Sequence, residues 1–166
     1  MKWSFLIFFL IAASACRAGT GEEQRREAEY YVAAYARHYN VPVEFVRALV
    51  EQESGWQRCP VSSKGAAGLM QLMPGTAAQL SVRNRCDINQ NVSGGVRYLA
   101  WLMTKFHGDL RLVAAAYYAG ENIVGRRGLR YSNPDVVSYV ASIRERFARQ
   151  RRFGSANVRH APGRTR

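Results

Sequence analysis

The 166-residue chain is short of metal-ligand spacings, of cysteine and of long apolar runs. His38, His107 and His160 are scattered, with no HExxH or comparable arrangement, and there is no CxxC, so neither a metal nor a cofactor is expected. No apolar run reaches the ~20 residues of a bilayer-spanning helix. Alternation at a period of two never extends beyond a few residues, which excludes a sheet-based fold and leaves at most a hairpin arm in "GLMQLM". No recognised nucleic-acid reader motif is present, so nucleic acid is not expected as a partner. Acidic groups are scarce, with 12 Asp and Glu against 24 Lys and Arg, a formal charge of +12 that bears on partners rather than on fold.

What is there suits one domain with one core. Lys2, the apolar "WSFLIFFLIAA" and the small-residue "ASAC" form the pattern of an export signal over residues 1–18, with cleavage after Ala15 or near Ala18. Cleavage after Ala15 would leave Cys16 first and open to lipidation. Removing Cys16 leaves Cys59 and Cys86, an even number in an exported chain, for which a bridge is expected in preference to two buried thiols. At the other end, residues 148–166 are crowded with arginine and lose hydrophobic period after Phe153, which reads as a disordered basic tail. Such a tail is either a solubility aid or an attraction to an anionic wall, membrane or partner.

Between these ends the pattern is helical, and the expected fold class is mainly α. Ala28, Tyr31, Tyr35 and Tyr39 recur at helical spacing. Pro42 suits the first turn of a second helix carrying Val46, Leu49, Val50 and Glu53 on one face and ending at Gly55. A loop rich in Ser, Gly and Pro follows, with Gly65 and Gly68 framing "GAAG". Pro74 opens a short helix. Asp87 and Gln90 resemble a capping box before a long helix faced by Val92, Val96, Leu99, Met103 and Phe106, expected to be the central buried element. Asp109 caps the Ala-rich "LRLVAAAYYAG", which Gly120 stops. Pro134 starts a last helix with Val136, Val140, Ile143 and Phe147 along one side.

Glu53 stands out because it finishes an oily face with a carboxyl. Glu51, two residues back, is turned about 200° away and can face water. Desolvation beside Leu49 and Val50 and the negative end of the helix both favour a neutral Glu53, the state that can hand a proton to a leaving oxygen. A glutamate near a helix end is more often a solvated boundary residue, so this position needs support from its neighbours.

That support comes from "ESGW", "GAAGLMQLMPGTA" and "AAYYAG", which resemble the lytic transglycosylases of the bacterial cell wall, relatives of goose-type lysozyme. The resemblance runs from about Asn40 to Gly120, with a weaker match in "DVVSYV", and implies a lysozyme-like domain over residues 22–147 with a substrate groove. It implies Glu53 as catalytic acid and base, and Ser62, Gln71, Met73 and Tyr117 as groove residues. Tyr118 stands where the family usually has asparagine, in "AYYAG" against "AYNAG", and is expected to line the groove by stacking. "DINQNVSGGVRYL" resembles a family helix and adds Asn91 as a contact residue, Gly94, and Tyr98 and Leu99 as packing residues.

Most glycosidases use two carboxylates, and no good second candidate is found: Asp87 and Asp109 are caps, Asp135 sits in a first turn, and Glu121 is the exception to watch. The resemblance implies an alternative, in which Glu53 protonates the bond between N-acetylmuramic acid and N-acetylglucosamine and then deprotonates the muramic 6-hydroxyl, giving a 1,6-anhydro product. It implies action on peptidoglycan, in small members often serving a secretion or conjugation machine, while the export signal leads to the expectation of a periplasmic location, and a monomer is expected. Rival expectations are a hydrolytic muramidase and a wall-binding scaffold whose catalysis has decayed.

Overall fold

A computed structural model describes the backbone of residues 4–130 and 132–159 and the side chains of residues 21–128, 130 and 132–152. It is mainly helical, as expected. In chain order come α1 (Ser4–His38), α2 (Val43–Ser54), α3 (Pro74–Gln79), α4 (Ile88–Lys105), α5 (Leu110–Ala119), α6 (Glu121–Arg127), a 3-10 turn over Gly128–Arg130, and α7 (Pro134–Arg159). The hairpin arm is reduced to single antiparallel bridges from Ala67 to Val61 and to Leu72.

The helix boundaries follow their local chemistry. Pro42 is the residue before α2 and not within its first turn, and Gly55 ends α2 at φ +56, a left-handed conformation that glycine adopts without a Cβ penalty. Asp87 caps α4 by accepting the Gln90 N–H at 2.8 Å. The Gln90 side chain does not complete a capping box, because its Oε1 accepts from the N–H groups of Arg83 and Asn84. Asp109 accepts the Arg111 N–H at the start of α5, which ends at Gly120.

One core joins the helices, with α1 on α4 and α7 against both α2 and α5. In α1 the buried line is Ala28, Val32 and Ala36, while Tyr31, Tyr35 and Tyr39 pack half-buried beside it, with ring centroids 6.2 and 6.4 Å apart. Small residues on the inner line let α4 approach closely, which displaces the expected tyrosine stripe to its edge. Ile88, Val92, Val96, Leu99 and Leu102 make α4 the buried element anticipated for it. Arg25 of α1 lies over the Trp56 ring, 3.8 Å from its centroid, and so ties α1 to the chain leaving α2.

Two expectations change, and a third lies outside what the structure describes. The chain does not become irregular at residue 148: α7 continues to Arg159, and residues 160–166 lie outside the described residues. Glu51 does not simply face water, because Arg149 and Gln150 of α7 donate to its carboxylate at 3.0 and 3.3 Å. Arginines on α7 thus find an acid on α2, which gives the helix a reason to persist past the core. The segment read as an export signal, Cys16 included, lies outside the described side chains; from Ser4 its backbone is part of α1. Among the described residues no helix is long and apolar enough to cross a membrane.

Candidate active site

The last turn of α2 sets the position of Glu53. Val46, Leu49 and Val50 are buried on the face that packs inward, so the residue at the next helical repeat must follow them. Ser54 then closes the helix, donating its hydroxyl to the Val50 carbonyl and accepting the Trp56 N–H. Glu53 is left half-buried at the floor of a groove of about 480 Å³.

The groove also brings together Ser62, Gln71, Met73, Tyr117 and Tyr118 from the loop and from α5. Asn91 is not among them. It is 1% exposed, accepts the Met70 N–H at 2.8 Å, and donates to the carbonyls of Ala67 and Arg85 at 3.1 and 2.8 Å. Asn91 pins the loop to α4 from behind and has no free group to offer a ligand, which corrects its expected contact role. Arg85 helps from the other side, donating to the carbonyls of Gly65 and Leu72. Gly68 must be glycine here: its φ is +82, and a Cβ would lie 2.1 Å from the Arg85 carbonyl oxygen.

Each groove side chain has a specific commitment. Ser62 Oγ accepts the Ala66 N–H at 3.0 Å. Gln71, at φ +46, donates its Nε2 to the carbonyls of Pro60 and Gly68, so the atom it can offer a ligand is Oε1. Tyr117 donates its hydroxyl to the Met70 carbonyl at 2.7 Å. Met73, 44% exposed, also borders a neighbouring cleft of about 780 Å³ with Tyr98, Trp101 and Glu121. Cys59 and Cys86 are joined in a disulfide that ties the start of the loop to the approach to α4.

Tyr139 of α7 was not singled out by the sequence. Its hydroxyl donates to Glu53 Oε1, and its buried ring stacks on Tyr118 with centroids 4.7 Å apart. The available signal was its place in "DVVSYV", between Val136 and Ile143 on the inward stripe of the last helix. Burial pushes the Glu53 carboxyl from its ordinary 4.5 up to about 7, with the Tyr139 hydrogen bond pulling the other way. Burial and the charge of Glu53 push the hydroxyls of both Tyr117 and Tyr139 well above their usual range, so they act as neutral donors.

Glu121 is not beside Glu53. It lies in the neighbouring cleft, where the Tyr98 hydroxyl meets its carboxylate at 3.4 Å. The second carboxylate lining the groove is Asp135, on the exposed first turn of α7. No cluster of three or more His, Cys, Asp or Glu that could hold a metal occurs among the described residues.

The arrangement resembles known proteins. The Transglycosylase SLT domain family matches residues 30–137. The transglycosylase of Enterobacteria phage PRD1 is 37% identical over 91 residues, covering 55% of this chain and 34% of its own. A putative soluble lytic murein transglycosylase of Haemophilus influenzae is 37% identical over 125 residues, covering 69% of this chain and 21% of its own. The 70 kDa soluble lytic transglycosylase of Escherichia coli superposes with a TM-score of 0.64 at 26% identity, over 74% of this chain and 24% of that one. Lytic transglycosylase Slt of Pseudomonas aeruginosa, solved as an inactive mutant, superposes at 0.68 over 76% of this chain and 24% of its own; at 22% identity it speaks to the fold alone. The chain thus spans about a third or less of these curated relatives. With the family match covering most of the helical domain and the groove built from the motifs that drew the comparison, this protein belongs to the transglycosylase SLT domain family.

Proposed function

We propose that the protein is a peptidoglycan lytic transglycosylase, cleaving the β-1,4 bond between N-acetylmuramic acid and N-acetylglucosamine. The observation that carries this reading is Glu53: a carboxyl held near half-protonation at neutral pH, on the floor of an open groove, with one oxygen oriented by Tyr139. In the first step Glu53 donates its proton to the glycosidic oxygen. In the second, as carboxylate, it takes the proton of the muramic 6-hydroxyl while that oxygen attacks its own anomeric carbon. The attack is intramolecular, with effective molarities on the order of 10⁵ M or more, so no second carboxylate has to activate water. The product is a 1,6-anhydromuramic end.

Ser62, whose oxygen already accepts a backbone N–H, keeps its own proton for a substrate carbonyl such as an acetamido group. Gln71 Oε1 and the exposed Met73 and Tyr118 line the path of the sugar chain. The relatives are named murein transglycosylases, which supports a place at the cell envelope. Export into the periplasm through residues 1–18, action as a monomer and service to a secretion or conjugation machine belong to the same proposal.

The rival is hydrolysis, with Asp135 of the same groove activating water. Mass spectrometry of muropeptides released by the purified protein decides between them. Anhydro ends are expected, and reducing ends would show a muramidase. Glu53→Gln should lose ~10² to 10⁴ in rate; full activity in that variant would remove Glu53 from the mechanism, and no turnover by the wild type would leave a wall-binding scaffold.

A further inference from the structure

The three helices that carry Glu53, Tyr117 and Tyr139 meet again away from the groove. There Phe45 of α2, Leu110 and Ala114 of α5, and Val140, Ile143 and Phe147 of α7 enclose an open apolar socket of about 130 Å³. It shares no lining residue with the groove, and Phe45 lies about 12 Å along α2 from Glu53. Phe45 and Phe147 meet edge to face in its wall, with ring centroids 6.0 Å apart. An apolar cavity of about 150 Å³ takes up benzene, so the socket suits one bulky apolar side chain and is too small for a saccharide strand.

Its rim is positively charged. Arg111 and Arg144 complete the lining, and Arg151 lies over the Phe147 ring, 5.9 Å from its centroid. Asp109 holds Arg111 at 2.8 Å and leaves its side chain 61% exposed. Arg144 is exposed, and Glu145 beside it is turned about 100° round the helix. Arg146 and Arg149, on the other side of α7, are committed to Glu51. The arginines of the last helix thus divide between a clamp on α2 and the rim of this socket.

Shape and charge decide what fits. A helix binds a bilayer surface by sinking protruding apolar side chains into it, and none of the large apolar side chains exposed among the described residues lines this socket, which is concave instead. A second copy of the chain would bring a formal charge of +12 against the same sign. Residues 160–166, "HAPGRTR", offer neither an acid nor a large apolar side chain.

We propose that the socket docks an acidic polypeptide segment of a partner protein, which inserts one Leu- or Phe-sized side chain between α2, α5 and α7 and lays flanking carboxylates against Arg111, Arg144 and Arg151. An apolar anchor in a pocket ringed by arginine has the composition of an interface hot spot. Because socket and groove share no lining residue, the partner holds the protein while the groove stays open. The docking is independent of the reaction assigned to Glu53.

The probe is a fluorescein-labelled peptide of alternating glutamate and alanine with one central phenylalanine, titrated with the full chain and followed by fluorescence anisotropy. A control peptide carries alanine at the centre. The phenylalanine peptide should bind about tenfold more tightly than the control. Arg144→Glu should weaken its binding about fivefold or more, and Ala114→Leu, which fills the socket, should abolish the difference between the two peptides. If Ala114→Leu fails to fold, the two peptides and the exposed Arg144→Glu decide. Equal binding of the two peptides overturns the assignment, as does an affinity unchanged in Arg144→Glu. Binding to phosphatidylglycerol vesicles that Arg144→Glu removes, without a preference for the phenylalanine peptide, overturns it in favour of a membrane surface.

Discussion

Replacing Tyr139 by phenylalanine removes the hydrogen bond that stabilises ionised Glu53 but keeps the ring that packs on Tyr118. Because that bond lowers the Glu53 pKa against the larger effect of burial, its loss moves the pKa above about 7. The alkaline limb of kcat/KM should then shift to higher pH, and kcat should fall because the base formed after the first step is less well oriented. An unshifted limb would mean that Glu53 does not govern the profile. The same carboxyl also affects stability. Its folded pKa is raised, so between pH 4.5 and about 7 the folded state holds more protons than the unfolded one. Stability is therefore greatest at the acid side of that window and declines by about 3 kcal/mol as pH rises through it. Glu53→Gln should abolish the decline and raise Tm at pH 8, measurable by thermal melts at pH 5 and 8.

Among the elements, the loop from Gln57 to Met73 depends on groups outside itself. Asn91 satisfies the Met70 N–H and two carbonyls, and Asn91→Leu would strand all three in a buried setting. Each stranded group costs about 1 to 3 kcal/mol, so the variant should be destabilised by more than about 3 kcal/mol in urea unfolding. The helices themselves were legible because their boundaries are local: Gly55, Asp87, Asp109, Gly120 and Pro134 each act through neighbours within a few residues. Asn91 was misassigned because its place in a motif looks the same whether its amide meets a ligand or a loop. Its true partners come from residues 67, 70 and 85, and only packing puts them there. The tail was misjudged for a related reason, since arginines without hydrophobic period look solvated until α2 supplies Glu51 to pair with them.

At the scale of the molecule, the Cys59–Cys86 disulfide joins the two ends of the segment that carries Ser62, Gln71 and Met73. A crosslink spanning 27 residues restricts the unfolded chain by about 3 to 4 kcal/mol in the chain-entropy account. Reduction, or Cys59→Ser with Cys86→Ser, should lower Tm by several degrees, and kcat should fall further than a mutation distant from the loop would make it. A Tm unchanged on reduction would show that Asn91 and Arg85 alone hold the segment.

From residue types and spacing alone, the chain determined its helical class, its helix ends and the oily face that terminates in Glu53, since all of these depend on interactions within one or two turns. The tertiary structure decided how that carboxyl is tuned. The hydroxyl that orients Glu53 comes from Tyr139, 86 residues later; the second carboxylate in reach is Asp135 and not Glu121; and the arginine-rimmed socket exists only where α2, α5 and α7 meet. Periodicity reports which face of a helix is buried. It does not report which helix will cover that face, and so it cannot name the partner of a buried charge.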